Sequence, residues 1–191
     1  MKHLSLNGTA RISGKKADVN AVRNADRVPC VIYGNGIENV LFSVDAKDLK
    51  TLTDTPFSHI VDLSIDGKAF TAKLQDIQWH PVTDKALHVD FIALAEDKPL
   101  TIEVPIKIVG NSEGVKAGGK LAVSARKLKV HGLIANLPDE LEVDITPMGI
   151  GAQIFAKDLS YDNIQIASPK GTLVCAVRAT RASAAAAAEE K

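Results

Sequence analysis

Five polar side chains set into an apolar stretch are the first candidates for chemistry in this chain. Between Leu74 and Leu94 the sequence reads LQDIQWHPVTDKALHVDFIAL, and Gln75, Gln78, His80, His88 and Asp90 interrupt its apolar pattern. As metal ligands the two histidines and the aspartate have the wrong spacing. H-x7-H-x-D matches no zinc pattern, and no cysteine lies nearby. As catalysts they lack a nucleophile, since no G-x-S-x-G occurs and no Ser or Cys has a readable His/Asp context. The chain therefore reads as a non-enzyme. Amide, imidazole and carboxylate groups on one strand face can instead hydrogen-bond base edges, 2′-hydroxyls and phosphates. A solvated strand face, or an exposed platform for a carbohydrate or peptide, is also compatible with these residues.

These side chains need two strands to present them. Leu87, Val89 and Phe91 alternate with His88 and Asp90, so the two polar groups share a face. Leu74 to Trp79 forms the preceding strand, closed by His80-Pro81 because Pro81 has no N–H for a ladder. Upstream, Ile60 to Phe70 is a hairpin around Asp66-Gly67, a type I′ turn that sets Leu63 opposite Phe70 and Val61 opposite Ala72. Leu74 continues that apolar parity, after which Ile77 and Trp79 take the apolar places. The change of phase predicts a β-bulge at Gln75–Asp76.

The remaining chain is also rich in strands. Leu4 to Ile12, Val28 to Tyr33 and Val40 to Val44 read as strands, with a Gly34-Asn35-Gly36 turn after the second. Ala17 to Ala25 and Ala46 to Leu52 read as short helices, the second with Asp45 as its N-cap. Ala95 to Pro99 is polar and marks a domain boundary. Beyond it, Leu100 to Val109, Leu121 to Val130, Leu141 to Ile145 and Leu173 to Val177 are strands. Pro105 predicts an edge position or a bulge for the first of these. Asn136–Glu140 and Pro169–Gly171 read as turns, and Ala156–Leu159 as a helical turn. Gly110 to Gly119 lacks both G-x-x-x-x-G-K-[ST] and G-x-G-x-x-G, so it reads as a connecting loop and implies no nucleotide cofactor. The alanine-rich end, residues 182–191, has no face to bury and is expected to be disordered. Two mainly β domains follow, residues 1–95 and 96–180.

Composition narrows the partners. The 191 residues are 46% hydrophobic and carry no net charge, which argues against nucleic-acid binding through bulk electrostatics. Only the first 33 residues are biased: Lys2, Arg11, Lys15, Lys16, Arg23 and Arg27 face Asp18 and Asp26 alone. Phosphate contacts, if RNA binds, are expected from that segment, with Tyr33 available for stacking. No stretch approaches the length of a membrane span, and no signal peptide is visible at the start. Cys30 and Cys175 lie in apolar runs and read as buried free thiols, although the sequence leaves a disulfide open.

Four segments, in order, resemble the bacterial large-subunit ribosomal proteins that bind 5S rRNA, in their long two-domain form known as the general stress protein CTC type. They are Val28 to Gly34 (VPCVIYG), Ile60 to Lys68 (IVDLSIDGK), the QDIQWHP…HVDF run and Val104 to Lys120 (VPIKIVGNSEGVKAGGK). The resemblance implies an N-terminal six-stranded β-barrel with short helices and a C-terminal β domain with an extended loop. It implies 5S rRNA and neighbouring ribosomal proteins as partners, a cytoplasmic, ribosome-associated location and no cofactor. The chain departs from the family where Asp18 to Arg23 replaces an arginine-rich helix. Arg23 and Arg27 remain there, so fewer phosphate contacts are expected, and a stress-linked binding protein with weakened RNA contact is the alternative reading.

Overall fold

The β-branched runs bounded by Gly, Asn and Asp turns do fold as strands. The computed structural model describes residues 2–12, 14–95, 98–161 and 163–180. The chain divides into two units, Met1–Lys98 and Pro99–Lys191.

Unit 1 is a closed six-stranded barrel. In chain order it comprises β1 (His3–Ala10), α1 (Lys16–Asn24), β2 (Arg27–Gly34), β3 (Ile37–Asp45), α2 (Ala46–Thr53), β4 (Ile60–Ile65), β5 (Lys68–Trp79) and β6 (Ala86–Ala93). The strand order is β1-β3-β2-β6-β5-β4, and a parallel β4–β1 ladder closes the circle. Leu6, Cys30, Ile32, Phe42, Val44, Leu63, Val89 and Phe91 fill the interior. Phe42 and Phe91 pack with ring centroids 5.8 Å apart. Gly8 stands where a Cβ would meet the Phe42 ring at 2.7 Å, so the ring takes space that only glycine leaves open.

Local chemistry explains the turns. The β4–β5 hairpin pairs Leu63 with Phe70 and Val61 with Ala72, as the alternation predicts. Asp66 and Gly67 both have positive φ, 46° and 84°, as a type I′ turn requires. Asp45 occupies the N-cap position of α2 but caps nothing with its side chain. Its carboxylate instead lies 3.7 Å from Arg27 Nη1, an ion pair that replaces the expected cap.

Unit 2 contains two smaller sheets. Their strands are β7 (Leu100–Val109), β8 (Lys120–Val123), β9 (Lys127–Gly132), β10 (Leu141–Asp144), β11 (Gln153–Phe155), β12 (Gln165–Ile166) and β13 (Leu173–Arg178). One sheet has the order β10-β7-β9-β12, the other β11-β13-β8. Three sequence expectations change here. The single strand expected over Leu121–Val130 breaks into β8 and β9, which belong to different sheets. Ser124 and Ala125 N–H groups both turn to Val174 O, which ends the first piece. Gly110 to Gly119 carries a short helix, α3 (Glu113–Lys116). It is seeded by buried Ser112, whose Oγ donates to Met148 O at 2.6 Å and accepts from Val115 N–H at 3.3 Å. Finally, β7 is an interior strand despite Pro105. Pairing with β10 starts only at Ile106, so the missing N–H costs no ladder bond on that side. The helical turn at Ala156–Asp158 forms as expected. The alanine-rich tail and its expected disorder lie outside the described residues.

Candidate nucleic-acid interface

The candidate face is built from β2, β6 and β5 on the outer wall of the barrel. Val89 and Phe91 are fully buried, which turns His88 and Asp90 outward. Register places Gln78 across from His88, and Asp90 between Val31 on β2 and Asp76 on β5. Tyr33 lies one row on, across from Ile92. The ladder slips between Leu74 and Asp76, the predicted bulge, and leaves Gln75 exposed without a register partner. Four of the predicted residues, Tyr33, Gln78, His88 and Asp90, therefore share one wall, and Gln75 borders it.

The two histidines use Nδ1 in opposite roles. His88 Nδ1 lies 2.8 Å from Asp90 Oδ1, so Nδ1–H donates to the carboxylate and the two side chains hold each other in place. His80 Nδ1 accepts from the Val82 and Thr83 N–H groups at 3.3 and 3.2 Å, which puts its proton on Nε2. His80 therefore shapes the β5–β6 loop, with one ring nitrogen already committed.

The basic residues divide sharply. Arg23 Nε and Nη2 both donate to Leu87 O, at 3.1 and 2.9 Å. A second register slip, between Gln78 and Trp79, leaves Leu87 without a partner on β5, and the guanidinium satisfies the carbonyl that results. Arg27 is equally committed, with Nε to Ser43 Oγ, Nη2 to Thr9 Oγ1 and Nη2 to Ser43 O, all within 3.1 Å. Both arginines are engaged in holding the barrel together. Lys15 and Lys16 stand exposed at the start of α1, where Asp18 Oδ2 accepts the Lys15 N–H at 2.8 Å. Arg11 is half-buried, and its Nε is buried with no hydrogen-bond partner among the described residues.

Two residues escaped the sequence reading. Asp76 stands across from Asp90, so a second carboxylate belongs to the wall. The phase change at the bulge signals it once the residues are counted across. Trp79, on the apolar side by alternation, is 48% exposed. The second slip, invisible to period-2 counting, removes it from the core.

Cys30 and Cys175 are both buried and free. Burial pushes the Cys30 thiol up to about 12, against the opposing charge of Arg11, and burial also raises Cys175. Among the described residues no three His, Cys, Asp or Glu side chains gather as a metal site. No described helix is long and apolar enough to cross a membrane.

Comparison with known proteins gives two family matches in order. Residues 6–91 match the ribosomal L25p family, and residues 99–181 match the C-terminal domain of ribosomal protein TL5. Among curated relatives, the large ribosomal subunit protein bL25 of Phocaeicola vulgatus is 45% identical over 194 residues, covering 98% of each chain. The proteins of that name from Bacteroides fragilis and Porphyromonas gingivalis are 44% and 38% identical, covering 98% and 100% of each chain. Identity of this order, sustained from end to end across a barrel and a second β unit, leads to one conclusion: the chain belongs to the ribosomal L25p family.

Proposed function

We propose that this protein is a non-enzymatic constituent of the large ribosomal subunit in the cytoplasm, and that its first domain, residues 1–95, binds 5S rRNA. The His88–Asp90 pair, held outward beside Gln78, carries the reading. A wall of amide, imidazole and carboxylate groups suits the wide, shallow minor groove of an irregularly paired RNA helix. Two carboxylates on that wall would be repelled by phosphates, so Asp90 works there as an acceptor for a base amino group while it orients His88. The commitment of Arg23 and Arg27 inside the fold favours modest electrostatics. With Lys15, Lys16 and Arg11 as the phosphate contacts, log K should fall against log salt with a slope of about −2 to −3.

The test has two stages. The protein should sediment with large subunits from a lysate, and purified protein should bind 5S rRNA. Asp90→Asn should then weaken binding by about 1–3 kcal/mol, the range for one good base contact. Tighter binding by Asp90→Asn would mean that the carboxylate is a solvated acid repelling phosphate, and would return this wall to ordinary surface.

A further inference from the structure

We propose that Trp79 stacks against an unpaired base of the RNA bound by unit 1. Trp79 is the sole tryptophan of the chain and is 48% exposed. Its neighbour in the β5–β6 loop, Val82, is 83% exposed. A large flat ring left in water gains on being covered, and this one is held ready for cover. His80 N–H donates to Lys85 O at 2.8 Å and Asp84 N–H to His80 O at 3.0 Å, while the His80 ring accepts two further N–H groups. Asp84 adopts φ 52° to close the loop, and Lys85 Nζ reaches Asp26 at 3.4 Å. The ring therefore projects from a fixed hairpin end, and little ordering remains to be done on binding.

The surroundings favour a base as the covering group. Trp79 directly follows Gln78, the cross-strand neighbour of His88, so the ring stands at the end of the strand that carries the polar wall just described. Exposed Lys85 ends the same loop. An exposed aromatic ring on a strand end that also bears an amide, with a lysine at the end of the following loop, has the composition of a nucleotide-stacking site. Permanent protein interfaces have a continuous apolar core. Here Thr83 and Asp84 interrupt the apolar surface beyond Pro81 and Val82.

This inference rests on the reading that unit 1 binds 5S rRNA, and the test separates the two. Because Trp79 is the only indole, its fluorescence reports on this one position of the full-length protein. Titration with 5S rRNA, with binding followed in parallel by gel shift, should quench the emission as complex forms. Trp79→Ala should weaken binding by about 5- to 150-fold, the span measured for one base stacked on an aromatic ring. Trp79→Phe should recover most of that loss while leaving the salt slope unchanged. RNA binding with unaltered fluorescence, and with Trp79→Ala binding like the parent, overturns the stacking and leaves the RNA-binding reading intact. Failure of the parent protein to bind 5S rRNA overturns both. Emission that ignores free 5S rRNA but changes when the protein joins large subunits overturns base stacking in favour of a ribosomal protein contact.

Discussion

In unit 1 each of the six strands has two neighbours, because β4 returns to β1 over six register pairs. In unit 2 the described strands β10, β12, β11 and β8 each have one neighbour. Closure removes free N–H and C=O rows altogether, whereas open sheets must manage them with short edges, as β10, β11 and β12 do with two to four residues each. The two units nevertheless share a device. Pro29 on β2 and Pro105 on β7 each stand one residue before a parallel ladder begins, at Cys30–Val89 and Ile106–Leu141. A strand can hold proline without losing a bond if the neighbour on one side starts later. Closure also explains why the candidate site lies on the barrel. A wall with no open strand edge can offer side chains, rather than strand edges, to a partner.

The sharpest way to break this comparison is through the two cores. Phe91→Ala should destabilise the barrel by about 3–5 kcal/mol, and Leu128→Ala should destabilise unit 2 by about 2–5 kcal/mol. If the units fold independently, each substitution lowers its own calorimetric transition and leaves the other in place. A single transition moved equally by both would show that the division is geometric only.

Next in size is a pH effect confined to the barrel. An unfolded cysteine titrates near 9.0, while burial holds Cys30 up to about 12. Over that window the folded state retains a proton that the unfolded state loses, so stability is full below pH 9 and falls as pH rises toward 12. The loss amounts to a few kcal/mol. Urea melts at pH 8 and pH 11 should differ more for the parent than for Cys30→Ala, and iodoacetamide should label Cys30 only after unfolding.

The division among basic residues gives two smaller effects of different kinds. Arg23→Met removes both donors to Leu87 O, so the barrel should lose about 1.5–3 kcal/mol. RNA affinity should fall with it while the salt slope holds. Lys16→Ala should leave the melting temperature alone and reduce the slope by about 0.7–0.9. An Arg23 variant that loses slope without losing stability would make it a phosphate contact after all.

The smallest effect belongs to unit 2. Lys107 lies 3.2 Å from Glu140 and 3.6 Å from Glu142, and its pKa is raised chiefly by the Glu140 hydrogen bond. The group is open to solvent, so Lys107→Met should change thermal stability barely at all, and less still in high salt. A clear loss would mean that this open sheet depends on its surface charges in a way that the closed barrel does not.

Local sequence was enough for whatever is decided between near neighbours. Period-2 alternation over Leu87 to Phe91 determined which side chains face out, and Asp66-Gly67 determined the hairpin, because side-chain parity and φ are properties of a few adjacent residues. The bulge at Gln75 was legible for the same reason, since a phase change is written in the pattern itself. The tertiary structure alone decided what depends on distant partners. Arg23 and Arg27 look like free cations in sequence, and only the fold brings Leu87 O, Thr9 and Ser43 to them. The slip that exposes Trp79 lies in the register between two strands, which neither strand records alone. The break between β8 and β9 depends on Val174, some fifty residues away, drawing off the N–H groups of Ser124 and Ala125. Hydrogen-bond demand is fixed residue by residue, but the group that meets it is chosen only when the chain closes on itself.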